Sequence, residues 1–107
     1  MWNPICPLED IVPNTGICAL LGGQAIAVFR WGDSEQVFAL SNHDPHSEAS
    51  VLSRGLIGNL GAAKVVASPI YKQHFNLETG ECLEDASTPI PHYPARVVGG
   101  VVEVQYG

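Results

Sequence analysis

The chain is poor in basic residues. Five lysines and arginines stand against eleven aspartates and glutamates, a formal net charge of −6. A protein that grips a nucleic-acid backbone needs a basic stripe to neutralise phosphates, and an anionic membrane surface asks for the same sign. The composition argues against both partners. Long apolar runs are missing too, and none approaches the ~20 residues that cross a bilayer. The start, Met1-Trp2-Asn3-Pro4, has neither the basic residues nor the apolar stretch of a signal peptide. Cysteine is scarce and odd in number, and Cys6, Cys18 and Cys82 are too widely spaced to suggest a disulfide framework. Reduced thiols in a cytoplasmic protein are the expectation. Repeats, heptads and low-complexity tracts are absent as well.

What is present suits one domain over residues 1–107. A chain of this length buries about two-thirds of its extended surface on folding. The 46% hydrophobic content supplies the side chains for such a core. Neither a metal nor a disulfide is needed to fold it, and a monomer is expected when the chain is isolated. Eleven glycines and eight prolines call for many turns, hence strands more than helices. Two hairpins stand out: Ile17 to Leu21 and Gln24 to Arg30 about Gly22-Gly23, and Arg96 to Val98 and Val101 to Tyr106 about Gly99-Gly100. In the latter, Val102, Val104 and Tyr106 share one side and Glu103 and Gln105 the other. Gln36 to Leu40, Lys64 to Ala67 and His74 to Leu77 read as further strands, and one helical turn is expected around Leu8 to Ile11. The fold class is all-β, with strands flanking a loop-rich central segment.

Chemistry-bearing residues gather in that segment. His43, Asp44, His46 and His74 form the densest set of potential metal ligands, of a type suited to zinc, iron or manganese. Their spacing matches no zinc motif, and an Asn-His-Asp-Pro run also makes turn hydrogen bonds. Gly55, Gly58 and Gly61 are expected in turns, since no helix follows to make them a phosphate cradle. A G-x-S-x-G elbow is missing. Cys18, in an apolar strand, reads as a small core residue. Cys82, just past a turn, reads as partly exposed, and Glu84-Asp85 as a solvated loop. These readings describe an acidic β domain with no visible catalytic apparatus.

Ser68-Pro69-x-Tyr71-x-x-His74-Phe75-Asn76-Leu77-x-Thr79-Gly80 resembles the second ligand loop of Rieske iron–sulfur proteins, which begins C-P-x-H. Asn42-x-Asp44-Pro45-His46 resembles the first, whose core is C-x-H. The resemblance implies a Rieske-type β-sandwich with a small loop-bearing subdomain over residues 41–80. A Rieske [2Fe–2S] centre takes two thiolates and two imidazoles. The cysteine positions are here Asp44 and Ser68, the second histidine position is Tyr71, and of the four ligands only His46 remains. The expectation is a degenerate site with no cofactor or metal bound in this chain.

Three further runs are similar to the small-subunit family of assimilatory NADH-dependent nitrite reductases. They are Val51-Leu52-Ser53-Arg54-Gly55-Leu56-Ile57-Gly58, Ala67-Ser68-Pro69-x-x-Lys72-Gln73-x-Phe75, and Trp2-x-x-Ile5-Cys6 with Gly16-x-Cys18-Ala19-Leu20. That resemblance implies a cytoplasmic, non-catalytic partner for a large subunit carrying siroheme, a [4Fe–4S] cluster and FAD, which reduces nitrite to ammonium with NADH. Two alternatives stand beside it: a ferredoxin-like electron carrier holding a [2Fe–2S] cluster or mononuclear iron, and a regulatory domain binding a small molecule between the loops. If the loop tip keeps a contact role, Asp44, Pro45, His46, Ile70, Tyr71, Lys72 and Gln73 would meet the partner, tyrosine being a favoured interface anchor. The competing expectation is that Ile70 and Tyr71 turn inward to fill the vacated cluster space. Arg54 would staple the first loop by holding backbone carbonyls or Asp44, or else lie exposed.

Overall fold

A computed structural model describes residues 1–106, so the last position of the expected domain, Gly107, lies outside the described residues. The strands run β1 (Trp2–Pro7), β2 (Gly16–Leu21), β3 (Gln24–Arg30), β4 (Val37–Ser41), β5 (His43–Asp44), β6 (Ala49–Ser50), β7 (Leu56–Leu60), β8 (Ala63–Ala67), β9 (His74–Asn76), β10 (His92–Tyr93), β11 (Ala95–Val98) and β12 (Val101–Gln105). Short 3-10 turns occupy Leu8–Asp10 and Leu52–Arg54, the first where the helical turn was expected. Among the described residues no helix is long and apolar enough to cross a membrane.

The central layer is the antiparallel sheet β10-β4-β3-β2. Its strand β3 carries the unbroken apolar run Ala25 to Phe29, the pattern of a strand covered on both faces. Alternation sorts that run. Ile26 and Val28 face a cluster with Leu8, Ile11, Val102 and Val104, which joins the layer to the sheet β1-β12-β11. Ala27 and Phe29 face the opposite cluster, with Leu52, Val66, Phe75, Leu77, Cys82 and Ile90. Val66 and Phe75 of that second cluster belong to the sheet β7-β8-β9, and the two loops that resemble ligand loops lie at this sheet and at the two-stranded β5-β6. Phe29 and Phe75, both fully buried, each contribute about 2–3 kcal/mol relative to exposure.

Both hairpins form as expected. Gly22, Gly23, Gly99 and Gly100 all have positive φ, the conformation of a two-residue turn that matches strand twist. Val102 and Val104 are fully buried, and Gln105 on the other side is exposed. Five strands were not foreseen, three of them the two-residue strands β5, β6 and β10. β1 contains two prolines, which it tolerates as an edge strand. β7, Leu-Ile-Gly-Asn-Leu, lacks both alternation and β-branched density. Of its neighbouring glycines only Gly61 sits in a positive-φ turn. Gly58 lies within β7, and Gly55 permits a close approach, since a Cβ there would lie 2.3 Å from the Ala67 carbonyl oxygen.

The cysteine expectations are reversed. Cys18 is exposed on the edge strand β2, with its Sγ against Asn42; Cys82 is buried, because it pairs with Phe75 beside β9. Cys6 is half-buried, and its thiol is pushed up by burial and by Asp10. Titration of the native protein with Ellman's reagent is therefore expected to show Cys18 reacting fast, Cys6 slowly and Cys82 only on unfolding. Prompt reaction of Cys82 in the folded protein would contradict this packing.

Candidate functional site

The first loop leaves β4 at Asn42, which is buried and ties three segments together. Its Oδ1 accepts the Ser53 amide at 2.6 Å, and its Nδ2 donates to Ser50 Oγ at 2.9 Å and lies 3.5 Å from Cys18 Sγ. A buried carboxamide suits this work because it both donates and accepts. The stapling expected of Arg54 thus falls to Asn42. The Arg54 guanidinium is exposed at the end of its 3-10 turn and makes no hydrogen bond or ion pair among the described residues.

Asp44 follows on β5 with no solvent exposure. Its Oδ1 accepts the His46 amide at 3.0 Å, and its Oδ2 accepts the Ser47 hydroxyl at 3.0 Å and the Ser68 hydroxyl. Burial alone would raise this carboxyl. The bonds from Ser68, the His46 amide and Ser47, with the His46 imidazole nearby, outweigh it and hold the carboxyl below its ordinary value. The turn hydrogen bonds expected of Asp44 are present, and the His43 amide donates to Ser41 Oγ at 3.3 Å while its side chain is exposed.

The second loop is closed on itself. The Ser68 amide donates to the Gln73 carbonyl at 2.9 Å, and the Lys72 amide donates to the Ser68 carbonyl at 3.1 Å. This closure buries Ser68 and pushes the tip outward, leaving Ile70 45% and Tyr71 60% exposed. Neither fills the space between the loops. That space is taken by the Asp44–Ser68 pair and by the His46 ring, 6.0 Å from the Phe75 ring. Of the expected contact residues, buried Asp44 is withdrawn from any surface, Pro45, His46 and Gln73 are half-buried, and Ile70, Tyr71 and Lys72 are presented.

A third loop, which sequence reasoning left as solvated, clasps both histidines. Glu84 accepts the His74 amide at 2.7 Å, and its other oxygen lies 2.6 Å from His74 Nδ1. Burial would raise Glu84, but these bonds and the imidazole lower it. Thr88 Oγ1 lies 3.2 Å from His46 Nε2, and Asp85 lies 3.8 Å from the same nitrogen. The signal for this loop was slight, since the adjacency of Glu84 and Asp85 does not say that each reaches a different ring.

The donors do not fit a [2Fe–2S] cluster. Two hard oxygen groups stand where thiolates would be, bonded to each other, and oxygen is a poor ligand for so soft a centre. His46 Nδ1 is buried without a hydrogen-bond partner, 3.6 Å from Asp44, but it is one candidate ligand of four. Tyr71, at the other histidine position, points away. Among the described residues no three His, Cys, Asp or Glu side chains converge on a metal position.

Comparison with known proteins agrees with this architecture. The family model of the Rieske-like [2Fe-2S] domain matches residues 1–105. The nitrite reductase (NADH) small subunit of Salmonella typhimurium is 53% identical over 104 residues, covering 97% of this chain and 96% of that protein. The NMR structure of the E. coli protein NirD superposes with a TM-score of 0.93 at 51% identity, covering 100% of this chain and 97% of that one. A protein of Klebsiella oxytoca named nitrite reductase [NAD(P)H] large subunit is 45% identical over 103 residues, which cover 96% of this chain but 11% of that protein. Shared sequence over nearly its whole length, on one backbone, places this chain in the Rieske-like nitrite reductase (NADH) small-subunit family.

Proposed function

We propose that the chain is a non-catalytic subunit of a cytoplasmic nitrite reductase. It docks on a large subunit that carries siroheme, a [4Fe–4S] cluster and FAD and reduces nitrite to ammonium with NADH in nitrate assimilation. The chain itself holds no redox group. The observation that carries this reading is the bond between Asp44 and Ser68, which joins the two ligand loops where a cluster would otherwise join them. The Klebsiella large subunit, with a stretch similar to nearly all of this chain inside one longer polypeptide, supports the pairing.

The test is co-expression with the nitrite reductase large subunit of the same organism, followed by affinity purification through a tag on this chain. A stoichiometric complex is expected, and failure of the two to co-purify would overturn the docking part. Anaerobic purification of the isolated chain from iron-replete cells is expected to give colourless protein. Stoichiometric iron with acid-labile sulfide would instead establish an electron carrier.

A further inference from the structure

Three of the five basic side chains are engaged within the chain. Arg30 pairs with Asp33 at 3.0 Å and donates to the Ile11 and Ser34 carbonyls. Lys64 donates to Gln36 at 2.8 Å and lies over the Trp31 ring. Arg96 pairs with Glu103 at 2.7 Å and lies over the Trp2 ring. The other two, Arg54 and Lys72, make no side-chain hydrogen bond or ion pair among the described residues, although acidic residues outnumber basic ones eleven to five. Both line one open cavity of about 380 Å³, with Leu56, Ser68, Pro69 and His74.

The backbone adds a second observation. Lys72 has φ +63, a left-handed conformation that glycine or asparagine adopts far more readily than lysine. Such a position costs about 1–2 kcal/mol. The Lys72 amide serves the loop by donating to the Ser68 carbonyl, but nothing in the loop's hydrogen bonding uses the ammonium or requires a lysine at this left-handed position.

The apolar surroundings give the third. Leu56 is 81% exposed at the cavity wall, and Ile70 and Tyr71 stand on the adjoining loop. The register Leu56↔Ala67, Gly58↔Val65, Leu60↔Ala63 puts all six on one face of the β7-β8-β9 sheet. Along that face a shallower hollow of about 200 Å³ continues from Leu56 past Gly58 to Leu60.

We infer that Arg54 and Lys72 bind a carboxylate side chain of the nitrite reductase large subunit, while Leu56 and the adjoining sheet face receive the apolar residues beside it. The inference rests on the docking proposed above and names the chemistry of the contact. A surface of net charge −6 repels an acidic patch everywhere except where its unpaired cations lie together, so this cavity also sets the register of the encounter.

The experiment measures the Kd of the full-length chain for the intact large subunit at low and high salt. The variants are Arg54→Gln, Lys72→Asn, their double, Leu56→Ser, and Arg96→Gln as a control on the far sheet. Asparagine suits the left-handed backbone, and neither cation has a partner to lose, so melting temperatures should hold. The double variant is expected to bind at least about tenfold more weakly and to lose most of the wild-type salt dependence. Leu56→Ser should weaken binding without changing that salt dependence, and Arg96→Gln should change neither. Wild-type affinity and salt dependence in the stable double variant would overturn the inference while leaving docking intact. Failure of the wild-type chain itself to bind would overturn the docking proposal and the inference with it.

Discussion

Replacing Asp44 with alanine is expected to lower stability by about 3 kcal/mol at neutral pH. The substitution strips the acceptor from the Ser68 hydroxyl, the Ser47 hydroxyl and the His46 amide at once. Each buried donor left unpaired costs about 1–3 kcal/mol, discounted here because a water can enter the space the carboxylate leaves. Asp44→Asn keeps the shape and some of the bonds but gives up charge assistance, so a loss of about 1–2 kcal/mol is expected. The two variants should also differ from wild type in acid. A carboxyl held low in the folded protein stabilises fully above its unfolded pKa of about 3.9, and that contribution disappears as pH falls through the folded value. Urea denaturation at neutral pH and below about pH 3 should therefore show a smaller acid-induced loss in Asp44→Asn than in wild type. Glu84, lowered by His74 against its burial, and Asp85, lowered chiefly by Ser87, leave some acid sensitivity in every variant. An acid slope unchanged in Asp44→Asn would show that the buried carboxylate is not the group linking the loops to pH.

The second large effect is expected at Gly80. It has φ +79, and a Cβ built there would lie 2.1 Å from the Ile90 carbonyl oxygen, while the Ile90 amide donates to the Gly80 carbonyl at 2.8 Å. Alanine must distort the turn and push away a segment whose side chain is in the core. Left-handed strain of about 1–2 kcal/mol and overpacking of about 1–3 kcal/mol together predict a loss of about 2–4 kcal/mol. Gly61→Ala separates the two causes. Gly61 has φ +62 and open space around its Cβ position, so only the strain remains and about 1 kcal/mol is expected. Equal melting-temperature losses in the two variants would mean that the Ile90 contact contributes nothing.

Much of the fold was legible because its signals are short in range. Paired glycines announced both hairpins, alternation put Val102 and Val104 on one side, which is the buried one, and Gln24 to Arg30 was read as a strand, though not as one covered on both faces. β1 and β7 were missed because proline and glycine inside them mask the strand pattern, β5, β6 and β10 because two residues carry no period, and hydrogen-bonded neighbours hold all five extended. The degenerate ligand positions were legible too, since Asp44, Ser68 and Tyr71 stand in recognisable loop motifs.

What those residues do was decided by tertiary structure. Asp44 and Ser68 are 24 residues apart, and His46 and Thr88 are 42 apart, so no local pattern could pair them. The same holds for exposure. Cys18 lies in an apolar run yet is exposed, on a strand that forms the edge of the central sheet. Arg54 was placed beside the first loop by sequence, but its side chain is exposed, and the loop is held by the Asn42 carboxamide, which accepts the Ser53 amide as no guanidinium can. Hairpin turns and alternating strands answer to neighbours a few residues away and are written in the sequence directly. Burial, pairing and the gathering of unpaired cations depend on which layers meet, and that is settled only when the central sheet is covered on both faces.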